Sequence, residues 1–130
     1  MKLLLDTCCI IWAVSSPESL STAATELLVA EDSEIFVSPI SAAEIACASE
    51  RGSIELNEHW KIWFRRYIER NNWQVETIDL NIIEEAYSLP EMFHPDPADR
   101  IITATARLKH LTIITADKKI LNYPHVNAVW

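Results

Sequence analysis

Residues 96–117, DPADRIITATARLKHLTIITAD, read as one helix followed by one strand, with carboxylates at both ends. Asp96 is a natural N-cap, and Pro97 takes the first helical position, where its missing N–H leaves no bond unmade. Ile101, Ile102, Ala104, Thr105 and Leu108 supply the buried stripe of a helix that ends near His110. Thr112 to Thr115 then read as a strand. Asp99 stands at the start of the helix, and Asp117 stands just past the end of the strand.

The same alternation extends over the rest of the chain. Leu3 to Leu5 form a short, continuously apolar strand, and Thr7 to Val14 form a helix that Pro17 breaks. Ser21 or Thr22 caps a helix through Ala23, Ala24, Leu27 and Leu28 that ends near Asp32-Ser33. Ile35-Phe36-Val37 is a second strand, and Ser38-Pro39 opens a helix that runs to Gly52, the expected C′ residue. Glu58 to Asn71 is the longest helix, Val75 to Ile78 a third strand, and Asn81 to Leu89 another helix. Lys118 to Leu121 is a helical turn, and Val126 to Val129 a last strand. Short strands alternating with helices predict an α/β fold with a parallel sheet covered on both faces. At 130 residues the chain is the size of one domain, expected to span 1–130 without a linker.

Four acids occupy comparable places in this scheme. Asp6 follows the first strand, Glu44 lies inside the helix after the second, Asp99 opens the helix before the fourth, and Asp117 follows the fourth. In a parallel sheet such junctions collect at the carboxyl edge of the strands. Taken singly, each acid has a plain structural reading. Asp6 and Asp117 would be caps, Glu44 would close a capping box with Ser41, and Asp99 would face a helix dipole. Taken together, four carboxylates at one edge repel one another unless a divalent cation joins them. Oxygen donors with no histidine or thiolate among them select Mg²⁺ or Mn²⁺ over zinc. Such a site suits phosphodiester hydrolysis, in which the metal activates a water and offsets charge on the phosphate oxygens.

Composition narrows the classes further. The one glycine, Gly52, excludes a P-loop and a dinucleotide-binding glycine turn. Three cysteines without C-x-x-C spacing argue against a zinc or disulfide scaffold and for a reducing cytoplasm. Asp6 interrupts the apolar start too early for a secretory signal, and no apolar run approaches the ~20 residues of a membrane span. A net charge of −8 opposes nucleic-acid binding unless the excess belongs to a metal site.

The stretch Met1 to Thr7, the Pro39-to-Glu44 helix start, Asp96-Pro97-Ala98-Asp99-Arg100 and Thr115-Ala116-Asp117 together resemble the PIN-domain nucleases, and among these the VapC-type toxins of bacterial toxin–antitoxin pairs. The resemblance covers nearly the whole chain in order and spacing. It implies a three-layer α/β/α domain around a mostly parallel sheet of four to five strands. It further implies a Mg²⁺- or Mn²⁺-dependent endoribonuclease that leaves a 3′-hydroxyl and a 5′-phosphate. Asp6 and Asp99 match the principal metal ligands, and Glu44 and Asp117 the residues that complete the site. Thr115 matches a supporting hydroxyl position. Asp96 is either the cap behind Pro97 or a further neighbour of the cation, and Arg100 either contacts substrate phosphate or pairs with a nearby acid. The partners implied are RNA, a VapB-like antitoxin and a second copy of the chain.

Two features stand outside that pattern. Lys61, Arg65, Arg66 and Arg70 share the longest helix with Trp60, Trp63, Phe64 and Tyr67. Trp60, Phe64 and Tyr67 read as core, whereas Trp63 and Trp73 fit the core less readily and suggest a groove for a protein partner, and Trp12 suggests a dimer face. The rival functional class is a non-catalytic, Mg²⁺-binding receiver-like module, with Asp79 at the end of the third strand as its phosphorylation site.

Overall fold

A computed structural model describes all residues, 1–130. Its strands are β1 (Lys2–Leu5), β2 (Glu34–Val37), β3 (Gln74–Val75), β4 (Thr112–Ile114) and β5 (Ala128–Val129). Its helices are α1 (Thr7–Ser15), α2 (Thr22–Val29), α3 (Pro39–Glu50), α4 (Trp60–Arg70), α5 (Leu80–Ala86), α6 (Pro97–Lys109) and α7 (Lys118–Leu121), with a short 3₁₀ turn at Pro17–Ser19. The strands form one sheet in the order β3-β2-β1-β4-β5, and every neighbouring pair is parallel.

The period of two along β1 divides the core. Leu3 and Leu5 pack on one face with Cys9, Ile10, Ile45 and Trp63, while Leu4 packs on the other with Ile102, Ile113 and Ile120. All three leucines are fully buried, as expected of a central parallel strand covered on both sides. A third cluster, Ile82, Ala86, Ile101 and Ala104, joins α5 to α6.

Helix ends follow their sequence signals. Ser38 Oγ accepts from Ile40 N at 3.2 Å, with Pro39 next in line, and Asp96 Oδ2 accepts from Asp99 N at 3.0 Å, with Pro97 next in line. Gly52, at φ +77°, ends α3 as expected: Ser53 N donates to Ala48 O and Gly52 N to Ser49 O. With no other glycine in the chain, Asn72 and His110 take the left-handed positions that end α4 and α6, at φ 54° and 56°.

Several expectations change. The third strand is Gln74–Val75, at the edge of the sheet, and stops before Thr77-Ile78-Asp79. Asp79 instead caps α5, accepting from Ile82 N at 2.9 Å. A receiver module needs that aspartate at the end of a central strand, so the rival class loses its site. Trp63 and Trp73 are both core, 2% and 8% exposed. Trp63 is drawn inward because α4 packs its Trp63-Phe64 edge on the β1–β2 core and leaves its basic side chains outside. Trp12 packs on Trp130 at a ring separation of 5.7 Å. No helix is long and apolar enough to cross a membrane.

Trp63→Ala therefore leaves a large void beneath α4. Urea denaturation should show a loss of about 3–5 kcal/mol. A loss under ~1 kcal/mol, the range of surface changes, would contradict a core role.

Candidate metal centre at the carboxyl edge of the sheet

Because β1, β2 and β4 run parallel, Asp6, Ser38 and Thr115 all emerge at the same edge. The chain leaves β1 toward β2 on one side, while β4 lies on the other, so Asp6 sits where the strand order reverses. A cleft of about 500 Å³ opens there, lined by Asp6, Glu44, Asp99 and Asp117 among others. All four acids singled out in the sequence thus face one cavity.

Three of the four acids are held by backbone or hydroxyl groups. Asp6 Oδ1 accepts from Thr7 N at 2.8 Å, and Oδ2 accepts from the buried Thr115 hydroxyl at 2.6 Å. Thr115 Oγ1 in turn accepts from Asp117 N at 3.0 Å, so one threonine ties two of the acids together. Asp117 Oδ1 caps α7 through Lys119 N at 2.8 Å. The Thr7 hydroxyl donates to Glu44 Oε1, which leaves Ser41 Oγ, 2.9 Å away, to donate to Thr7. The Ser41–Glu44 capping box is therefore absent. Ser38 caps α3, Glu44 lies in its second turn, and both Ser41 and Glu44 bond to Thr7 at the start of α1.

The electrostatics match this crowding. Burial, then Asp6, Asp96, Asp117 and Glu44, push the Asp99 carboxyl up to about 7. Burial also raises Asp6, against the opposing hydrogen bonds from Thr115 and Thr7, and raises Glu44 against the bond from Thr7. Loss of hydration and like charge both disfavour ionisation here. Asp96 keeps its cap on Asp99 N and adds negative potential to Asp6, Glu44 and Asp99.

Arg100 does not pair with a nearby acid. Its guanidinium donates to the carbonyls of Ala86 at 3.0 Å and Phe93 at 2.9 Å, away from the acids. The reason is local: one helical residue beyond Asp99, its side chain points toward the α5–α6 loop, whose carbonyls have no helix or sheet to bond them.

Two residues at the site escaped the sequence reading. His94 brings a ligand atom within 4.8 Å of those of Asp99 and Asp117, so the donor set is not oxygen alone. Its only sequence signal is its place two residues before Asp96. Arg51, the C-cap of α3, is the one cation lining the cleft, and its Nε donates to Ser53 Oγ at 2.8 Å.

Comparison with known proteins places this geometry. Residues 3–126 match the model of the PIN domain. The chain is 31% identical over 128 residues to Ribonuclease VapC22 of Mycobacterium tuberculosis, spanning 97% of this chain and 95% of that protein. Its fold is similar to that in the crystal structure of VapBC2 from Rickettsia felis bound to a promoter DNA fragment, with a TM-score of 0.75 at 16% identity over 100% of this chain and 99% of that one. It is also similar to a toxin–antitoxin complex from Klebsiella pneumoniae, with a TM-score of 0.67 at 22% identity over 98% and 96% of the two chains. The structural likenesses establish the fold, and the family model and the full-length relative establish descent: the chain belongs to the PIN domain family.

Proposed function

We propose that this chain is a divalent-metal-dependent endoribonuclease, a single nuclease domain over residues 1–130, and the toxin half of a toxin–antitoxin pair. The observation that carries the reading is the convergence of Asp6, Glu44, Asp99 and Asp117 on one cleft. A relative of 31% identity is named a ribonuclease, and similar folds occur in toxin–antitoxin complexes, which supports both halves of the proposal. The partners that follow are RNA, a VapB-like antitoxin and a second copy of the chain. Unpaired Cys8, Cys9 and Cys47 fit a reducing cytoplasm.

The donor set fits a hard or borderline cation, Mg²⁺ or Mn²⁺. When bound, such a cation lowers the pKa of a water and offsets charge on the scissile phosphate. The protein groups do the rest. Asp6 is held rigid by Thr7 and Thr115, which fixes a carboxylate at the floor of the cleft. Glu44 Oε2, the oxygen not taken by Thr7, is the base that accepts the proton of the attacking water. Asp99 and Asp117 close the opposite wall. Arg51 uses its free terminal nitrogens to grip a substrate phosphate at the mouth. One histidine, His94, stands beside Asp99 and Asp117, not the pair that cleavage through the ribose 2′-hydroxyl would require.

Three outcomes test this reading. Asp99→Asn should lower Mn²⁺-supported RNA cleavage on a gel by at least ~10²-fold while the far-ultraviolet spectrum is kept, and the wild-type products should carry a 3′-hydroxyl and a 5′-phosphate. Undiminished cleavage by that variant would sink the assignment. Arg51→Ala should raise KM by roughly tenfold, the worth of one charge-assisted contact, with kcat nearly unchanged. A fall in kcat at constant KM would mean that Arg51 acts in the transition state instead.

The third concerns pH. A carboxyl whose folded pKa lies above its unfolded value binds its proton more tightly when folded, so its contribution to stability is present at low pH and is lost as pH rises through the folded value. For Asp99 that window runs from its ordinary value of 3.8 up to about 7. The metal-free protein should therefore lose on the order of 2 kcal/mol between pH 5 and pH 8, with allowance for partial exposure. Asp99→Asn should flatten the slope, and saturating Mn²⁺ should abolish the loss at high pH. Thermal melts that show metal-free stability rising over that range would contradict the charge crowding.

A further inference from the structure

His94 lies in the loop between α5 and α6, outside the four-acid pattern. Its Nε2 is shut off from solvent and makes no hydrogen bond. It sits within ion-pair distance of Asp99 Oδ2, at 3.2 Å, yet the two are not aligned for a hydrogen bond. A buried ring nitrogen without a partner costs about 1–3 kcal/mol, and a fold retains such a group when something else is meant to meet it. The ligand atoms of His94, Asp99 and Asp117 lie within 4.8 Å of one another. Two donors on one cation lie at most ~4.2 Å apart, twice a bond of about 2.1 Å, so a small contraction brings all three into reach.

The loop is built to hold the imidazole there. Arg100 ties its start and middle through Ala86 O and Phe93 O. The Phe93 ring stacks on His94 with centroids 4.5 Å apart, and its other contact is the edge of Tyr123 at 4.8 Å. The Tyr123 hydroxyl donates to Pro90 O at 2.6 Å. Arg100, which pairs with no acid, thereby acquires a role: it positions the loop that carries His94.

We propose that His94 Nε2 is a direct nitrogen ligand to the cation shared with Asp99 and Asp117, making this a mixed nitrogen–oxygen centre that favours Mn²⁺ over Mg²⁺. The inference rests on the metal-nuclease reading above and adds the ligand that separates the two ions. Mg²⁺ takes oxygen donors almost exclusively, whereas imidazole is a normal ligand for the transition ions. The neutral ring, with its Nδ1 protonated, leaves the Nε2 lone pair for the metal.

The test reads the ion directly. Mn²⁺ is titrated into the purified protein, and electron spin-echo modulation is recorded on the bound ion. Wild type should show the ¹⁴N coupling of a directly bound imidazole. His94→Gln should still bind Mn²⁺ but lose that coupling, and its preference for Mn²⁺ over Mg²⁺ in calorimetry should fall by roughly tenfold. Bound Mn²⁺ without nitrogen modulation in wild type overturns the His94 assignment and leaves the nuclease reading standing, whatever the fate of the variant. No saturable Mn²⁺ binding in wild type, with Asp99→Asn indistinguishable from it, overturns both.

Discussion

Like charges forced together at one edge of a parallel sheet are the constraint on which the rest of this molecule depends. Parallel pairing of β1 with β2 and β4 gives the three central strands a common carboxyl end, and residues that follow those strands have no other side to occupy. Asp6, Asp117 and, through α3, Glu44 are committed to that edge by topology, and Asp99 joins them because α6 begins above it. Dispersing the acids would require a different strand order. The fold instead keeps them and fixes them with hydroxyl and backbone donors, chiefly Thr7 and Thr115. Those donors lower the cost of burying Asp6 and Glu44 but leave Asp99 high at about 7, where burial and the neighbouring carboxylates both disfavour its ionisation.

The plain and the chemical readings of these acids turn out to be compatible, because a carboxylate has two oxygens. Asp117 spends Oδ1 on the N-terminus of α7, and Asp6 spends Oδ1 on the first amide of α1. Capping holds each side chain in one rotamer and leaves further lone pairs pointing into the cleft. The structural bond thus supplies the preorganisation that a metal site needs. Glu44 follows the same logic by another route, since its capping box is replaced by a bond across to Thr7 on α1. Asp96 is the limiting case: it lies outside the cleft's lining, so its cap is its bond and its charge is its effect on the others.

Features tied to neighbours in sequence were legible in the chain itself. The caps at Ser38 and Asp96, the helix stop at Gly52, the buried β1 run and the four strand-edge acids each follow from residues a few positions apart. What escaped depended on contacts between distant segments. Trp63 fits the core because α4 packs back against β1 and β2, and no helical spacing within residues 60–70 discloses which side of the helix that is when both sides carry aromatics. His94 reaches the acids through a loop with three prolines nearby and no periodicity, so its position had no local pattern to carry it. The third strand was drawn too long for a related reason. Val75 to Ile78 have strand-like composition, but β2 ends at Val37, whose carbonyl takes the last ladder bond from Glu76 N at 2.9 Å.

Arg100 shows how the demand for a cation is kept open. An arginine one residue from Asp99 is the obvious means of neutralising the cluster, and a bidentate pair would draw the Asp99 carboxyl well down. Such a pair would also occupy the oxygens that a metal requires. Here the guanidinium is satisfied by the carbonyls of Ala86 and Phe93, with the Tyr87 ring beneath it at 5.4 Å, and it has no reason to swing inward. The same two bonds that remove the internal cation from the acids also brace the loop that brings His94 to them. One side chain therefore withholds the protein's own positive charge from the acids and braces the loop that brings His94 beside them, and the crowding that results is what a bound cation would relieve.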